Sequence, residues 1–197
     1  MMLSGLAPHP CKSVELEQYT IDGNLAARWL SDIAAFGDLS EGCTVADLGA
    51  GNGVLGLGAL AMGAGRAILV EADQAACGVA KSNAESMGFA DSVEVIQAML
   101  GSDPVDLGSA DVIISNPPWG RQTPRADRPF LEAMIAATTP THLLHSAEAS
   151  HIRPLFEEAG WSVERYGEAD FALPAAYSHH SRQRGRTRVA FWRLAPP

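Results

Sequence analysis

Short β-rich runs and helix-patterned segments alternate along almost all of this 197-residue chain, and that alternation limits its possible folds more than any other feature. The runs fall at 44–48, 67–71, 93–97, 111–115, 142–145, 162–170 and 187–194. Between them, apolar residues recur at helical spacing. Within 25–36, Ala26, Trp29, Leu30 and Ile33 share one face, with Asn24 as the expected N-cap. Further helices are expected from Val54 to a stop at Gly63, from an Asp73 cap to Gly88, and over 130–137 and 152–159. A helix between two strands carries the chain back to the starting edge, so successive strands run parallel and both sheet faces are covered. The last two runs have no helix between them and are expected to form an antiparallel hairpin at or near one edge. The expected fold is therefore α/β: a seven-stranded, mostly parallel sheet with helices on both faces and a C-terminal antiparallel hairpin.

A chain of 20.8 kDa is large enough to bury one good core. No repeat or linker divides it, so residues 1–197 are expected to form a single domain. No stretch reaches the roughly 18–20 apolar residues of a membrane span, and residues 1–10 lack the basic start and apolar run of a signal peptide. A cytoplasmic protein with no membrane partner is expected. Cys11, Cys43 and Cys77 lack metal-ligand spacing, so they are expected to be reduced, with Cys43 and Cys77 packed as small apolar groups. No metal is expected.

The run at 111–115 ends in Asn116, Pro117, Pro118 and Trp119. Two successive prolines have no N–H and fixed φ, so they force a rigid extended turn whose carbonyls cannot be drawn into a helix. The Asn116 side-chain oxygen and the Pro117 carbonyl can then each accept a hydrogen from a planar amine. That concentrates the lone pair on nitrogen for attack on an electrophile. The Trp119 ring is expected to supply a stacking face, worth roughly 1–3 kcal/mol per base. These residues point to amino methylation.

The matching electrophile site is expected at Asp47, Gly49, Gly51, Asn52 and Gly53, directly after the first strand. Glycines at alternate positions let the backbone turn tightly and approach a ligand. The spacing is Asp-x-Gly-x-Gly-x-Gly, unlike the Gly-x-Gly-x-x-Gly of dinucleotide sites. Asp47 would repel a pyrophosphate but could orient an amino-acid ammonium, directly or through water. Glu71, at the end of the second strand, suits two ribose hydroxyls, and Asp73 is read as the cap of the next helix. An ammonium-orienting acid plus a ribose carboxylate describes S-adenosylmethionine better than NAD. The chain thus divides into an N-terminal segment 1–24, a cofactor half 25–110 and a substrate half 111–197.

Net charge is −9, but it is unevenly spread: residues 1–170 carry −14, while residues 171–197 carry five arginines and no acid. Such a tail can contact phosphates, since those interactions act over a Debye length of ~8–10 Å. Residues 171–185 are too irregular for an element and long for a loop, and such segments are usually functional or disordered. Arg121, Arg125 and Arg128, with Arg182, Arg184, Arg186 and Arg188, are candidate RNA-phosphate contacts, and Tyr177 and His180 are candidate pocket or RNA contacts. His145, on an apolar strand, reads as a satisfied core histidine.

The sequence resembles the S-adenosylmethionine methyltransferases that act on exocyclic amines, and within them the methyltransferase-like protein five family of archaea and eukaryotes. The resemblance runs from Leu16-Glu17-Gln18-Tyr19 through Ala46-Asp47-Leu48-Gly49 and Asn116-Pro117-Pro118-Trp119-Gly120 to Leu173-Pro174-Ala175-x-Tyr177-x-x-His180. It implies a Rossmann-like methyltransferase fold and methylation of adenine N6 in small-subunit ribosomal RNA. It also implies a small zinc-ribbon activator protein as a possible partner. Gln18, Gly49, Asn52, Val54, Glu71, Met99 and Leu100 are implied to line the cofactor site. Two positions depart from the family: Met99 stands where Asp is usual, and Ile21 where Thr is usual. Each lost hydrogen bond would cost about 0.5–1.5 kcal/mol, and a backbone group would have to serve the cofactor adenine in place of the Asp. Guanine-N2 and protein-glutamine methylation, a dinucleotide oxidoreductase and a non-catalytic scaffold remain as alternatives.

Overall fold

The computed structural model describes residues 3–10, 21–120, 123–172 and 186–197. Strands β1 (Thr44–Leu48), β2 (Arg66–Glu71), β3 (Val93–Gln97), β4 (Val112–Ser115), β5 (Thr141–Ser146), β6 (Ser162–Ala172) and β7 (Arg186–Ala195) form one sheet. Its order is β3-β2-β1-β4-β5-β7-β6. The first five strands pair in parallel, and β7 is antiparallel to both β5 and β6. The expected hairpin is therefore present, with β6 at the edge.

Helices α1 (Gly23–Ala35), α2 (Val54–Ala61), α3 (Gln74–Met87), α4 (Arg128–Ala137) and α5 (Ile152–Glu158) cover both faces. One boundary differs from expectation. Asp22, not Asn24, caps α1, its carboxylate accepting from the Asn24 and Leu25 amides at 3.0 Å each. A charged acceptor suits the positive end of a helix better than an amide does. Helix α3 begins and ends as expected, with Asp73 accepting from the Ala75 amide and Gly88 left-handed at φ +77°.

Side chains alternate across a strand, and the core splits accordingly into two layers. Val45, Leu69, Ile114, Leu144 and Phe191 face α1, α2 and α3. Ala46, Leu48, Val70, Ile113 and Leu143 face α4 and α5. Trp29, Phe191 and Phe156 are fully buried, and truncating any of them to Ala would cost about 3–5 kcal/mol. Helix α2 lies close against β2, because a Cβ on Gly56 would come within 2.3 Å of Leu69 Cδ2.

A buried polar group locks the amino-terminal end of β5. His142 Nε2 meets Asp38 at 2.9 Å and its Nδ1 meets the Tyr166 hydroxyl at 3.2 Å, while Arg193 donates twice to Asp38. Burial pushes the His142 pKa down despite Asp38. Burial would raise that of Asp38, but Arg193 and His142 outweigh it and hold it below the usual range. This group ties β7 to the end of α1, at the opposite end of β5 from the cleft described next. Among the described residues no helix is long and apolar enough to cross a membrane.

Candidate active site

The sheet order reverses between β1 and β4: the chain leaves β1 toward β2 and β3, and β4 leads away toward β5. In open α/β sheets, ligands bind at the carboxyl ends of strands at such a switch point. A cleft of about 290 Å³ opens there.

Its first wall is the turn after β1. Gly49, Gly51 and Gly53 have φ of +75°, +56° and +83°, which other residues adopt only under strain. Amides of Gly49 and Ala50 donate to the Val70 carbonyl at 2.9 and 3.0 Å, which lays the turn against the end of β2. The Gly51 amide donates to Glu71 Oε2 at 2.8 Å, and the Asp73 amide donates to Glu71 Oε1 at 2.9 Å. Each carboxylate oxygen accepts about two hydrogen bonds, so Glu71 retains capacity for a ligand hydroxyl. Of the expected cofactor residues, Gly49, Gly51, Asn52 and Val54 line the cleft from this side. Glu71, Met99 and Leu100 line it from the ends of β2 and β3.

Asp47 lies deeper than the rest of the turn. Its side chain is 1% exposed, lies outside the cleft lining and accepts from the Gly56 amide of α2 at 3.0 Å. Strand alternation explains this: Asp47 shares the face of Val45, beneath α2. Burial, only partly offset by the Gly56 amide and reinforced by nearby Glu71, pushes its pKa up to about 7. The carboxylate therefore does not meet a ligand ammonium directly.

The two positions that depart from the family, Met99 and Ile21, both line the cleft. Met99 is 47% exposed at the rim, while Ile21 is buried in the wall. The Met99 amide donates to Asp103 Oδ2, and its carbonyl accepts from Ser102 and Asp103 amides. The substitute backbone hydrogen bond expected here is thus unavailable at Met99 itself.

The opposite wall is the end of β4. Asn116 and Pro118 line the cleft, while Pro117 is buried beside them. Trp119 follows directly, and most of its ring is buried. The ring is only 7% exposed and packs edge-on against Phe171 at 5.3 Å. Its indole N–H donates to Asn116 Oδ1 at 3.3 Å, which orients the amide. An aromatic next to two rigid prolines is pulled into the core by Phe171 and the other apolar side chains of that layer.

Several contributors gave no sequence signal. The segment before residue 10 packs on the glycine turn: Asn83 accepts from the Ala7 amide, and both Asn52 and Asn83 donate to the Ala7 carbonyl. This brings His9 to the cleft wall. Thr123, Ala126, Pro129 and Phe130 close the far side. Near that loop, Asp127 Oδ2 contacts His145 Nε2 at 3.1 Å and His151 Nε2 at 2.5 Å. Burial would raise the Asp127 pKa, but the two histidines outweigh it and hold it low. His145 is therefore buried, as expected, yet its Nδ1 has no hydrogen-bond partner among the described residues, so within them it is only half satisfied.

Gln18, Arg121, Tyr177, His180, Arg182 and Arg184 lie outside the described residues, as does the Arg186 side chain. Arg125 is exposed on the loop, with a left-handed φ of +63°. Two candidate phosphate contacts are already ion-paired: Arg128 with Glu132 at 2.7 Å, and Arg188 with Glu168 at 2.6 Å. Cys43 and Cys77 are buried thiols, as expected.

A parallel sheet with β7 inserted antiparallel beside β5, and a glycine turn facing an Asn-Pro-Pro end across the switch point, defines the Rossmann-like methyltransferase class. Residues 33–148 match the methyltransferase small domain family, and the chain belongs to that family. Relatives match over nearly the whole length. The chain is 33% identical to an uncharacterized protein of Methanocaldococcus jannaschii, covering 98% of this chain and 91% of that one. It is 30% identical to the rRNA N(6)-adenosine-methyltransferase METTL5 of Danio rerio, covering 92% and 89%. Among solved structures it is similar to a candidate RNA methyltransferase of Pyrococcus horikoshii, with a TM-score of 0.87, 32% identity, and 98% and 94% of the two chains covered.

Proposed function

We propose that this methyltransferase uses S-adenosyl-L-methionine to methylate the exocyclic N6 amine of an adenine in RNA, with small-subunit ribosomal RNA as the substrate class. One observation carries this reading: Asn116 and Glu71 border the same cleft, so an amine-accepting group and a ribose-accepting carboxylate face one space. The likeness to the rRNA N6-adenosine enzyme of Danio rerio supports adenine over guanine N2 or protein glutamine as acceptor.

The residues present fit the cofactor. A Cβ on Gly49 would lie 3.0 Å from the Phe130 ring across the cleft, so only glycine leaves width there. Glu71 would hold the ribose hydroxyls, and the turn from Gly49 to Asn52, with Gln18, would hold the amino-acid portion. Met99 and Leu100 would flank the adenine, where a thioether against an aromatic face contributes about 0.3–1.5 kcal/mol. When bound, the cofactor supplies a methyl carbon activated by its sulfonium for attack by an amine.

The chain's remaining task is alignment. Asn116 Oδ1 and the Pro117 carbonyl accept the two amine hydrogens and direct the nitrogen lone pair into the cleft. Trp119 holds the Asn116 amide in that orientation through its N–H. No strong base is needed, because the proton released after transfer passes to water. The target adenine must be unpaired or flipped out to reach this wall. Arg121 and Arg125, with Arg182, Arg184 and Arg186, are the proposed RNA-phosphate contacts, and Tyr177 and His180 the proposed contacts to the RNA or the flipped base. A zinc-ribbon activator partner and a cytoplasmic location belong to the same reading.

A two-part experiment tests it. S-adenosyl-L-methionine, and not NAD, is expected to raise the thermal midpoint, and label from the cofactor's methyl is expected in RNA and not in protein. Stabilisation by NAD alone, or label only in protein, would overturn the proposal.

A further inference from the structure

Outside the cleft, Asp127, His145 and His151 bring one carboxylate oxygen and two imidazole nitrogens together, and methyl transfer uses none of them. We propose that these three side chains bind a first-row divalent transition metal, with zinc the best match, pinning the loop after Asn-Pro-Pro-Trp to the ends of β5 and α5. The inference does not depend on the methyl-transfer reading.

The ligands come from three segments: Asp127 directly before α4, His145 in β5 and His151 directly before α5. Both rings present the same nitrogen, Nε2, to the same oxygen, and the three ligand atoms lie within 4.8 Å of one another. The ring planes are nearly perpendicular, at 83°, so the two edges converge as a fork. A tetrahedral ion with bonds of ~2.0–2.2 Å needs donors about 3.3 Å apart. Against the observed 3.1 and 2.5 Å, that requires the carboxylate to draw back by under an ångström from His151.

Burial separates the roles. Asp127 and His145 are buried and fixed, whereas the His151 side chain is 50% exposed, so an ion reaches the site from solvent and keeps a water position. In the metal-free chain His145 Nε2 donates to Asp127, and its Nδ1 has no hydrogen-bond partner among the described residues, so the ring proton can sit on Nδ1 once an ion takes the place between Nε2 and the carboxylate. Two imidazoles and a carboxylate favour zinc, cobalt or nickel over magnesium or calcium, which prefer oxygen sets. The consequence is local stiffness: the same loop brings Thr123 and Ala126 to the cleft, and the Trp119 ring lies 6.3 Å from His145.

The test uses the full chain, stripped with chelator and titrated with cobalt(II), read by visible absorption, and with zinc(II), read by calorimetry. One equivalent of either ion is expected to bind, with a tetrahedral cobalt band that zinc displaces. His151→Ala and Asp127→Asn are each expected to weaken binding by more than roughly 100-fold, beyond the ~10–100-fold cost of losing an outer partner. His151 is half exposed, so its variant keeps the fold and remains decisive if Asp127→Asn does not. Absence of saturable binding, or affinity in the His151→Ala protein within threefold of the parent, would overturn the proposal.

Discussion

On the β1–β2 side of the cleft, the proposed binding groups are backbone amides and one carboxylate that already accepts from two backbone amides. On the β4 side, the proposed amine acceptor is a single side-chain amide, Asn116, steered by one indole N–H. In the first wall, recognition and folding share the same hydrogen bonds, so damage there reaches both. In the second, the functional atom hangs from a turn already made rigid by two prolines, so chemistry can be removed while the fold stays.

The largest separation is expected with Asn116→Ala. Methyl transfer falls by about 10²–10³-fold, on the scale of losing one positioned group in a transition state, while the thermal midpoint and cofactor affinity stay unchanged. Equal loss of stability would erase the contrast. Glu71→Ala is expected to show the opposite pattern. Hydrogen bonds to charged groups are worth about 1.5–3 kcal/mol, so cofactor affinity measured by calorimetry drops roughly 10–100-fold and the thermal midpoint drops with it. A destabilised variant with normal cofactor affinity would remove Glu71 from the binding wall.

Smaller changes sharpen the picture. Trp119→Phe keeps the packing on Phe171 but removes the N–H to Asn116. A several-fold lower kcat is expected, matching one neutral hydrogen bond of about 0.5–1.5 kcal/mol, with unchanged cofactor Kd. If base stacking were the ring's role, the variant would keep kcat instead. Asp47 gives a pH signature. Its folded pKa, raised from 3.8 to about 7, means the folded chain prefers the protonated acid. Its contribution is therefore fully present below 3.8 and lost as pH rises through 7. Asp47→Asn should flatten that decline in thermal midpoint and be the more stable protein at pH 8. An identical decline in both proteins would mean that Asp47 does not titrate. The smallest effect is expected with Met99→Asp, which restores an acceptor at the cleft rim and tightens cofactor binding a few-fold to tenfold; weaker binding would place the adenine elsewhere.

The elements themselves were readable because strand alternation and helical spacing are local properties, and all seven strands lie within two residues of their expected bounds. The glycine turn, Glu71, Met99, Leu100 and Asn116 meet at one cleft because each sits at the carboxyl end of its strand. What escaped was orientation and long-range contact. Whether Asp47 faces a ligand or the underside of α2 depends on which face its strand position selects, and whether Trp119 is a platform or a prop depends on Phe171, fifty-odd residues away. The Ala7–Asn83 contact joins positions 76 residues apart, and Asp127, His145 and His151 follow no motif spacing.

The central claim, that an amine held at Asn116 is an adenine N6 in RNA, is tested most directly by nucleoside analysis of small-subunit ribosomal RNA. The RNA is treated with the chain and S-adenosyl-L-methionine, alongside the Asn116→Ala variant. N6-methyladenosine is expected with the parent protein and none with the variant. N2-methylguanosine, or N6-methyladenosine undiminished in the variant, would contradict it.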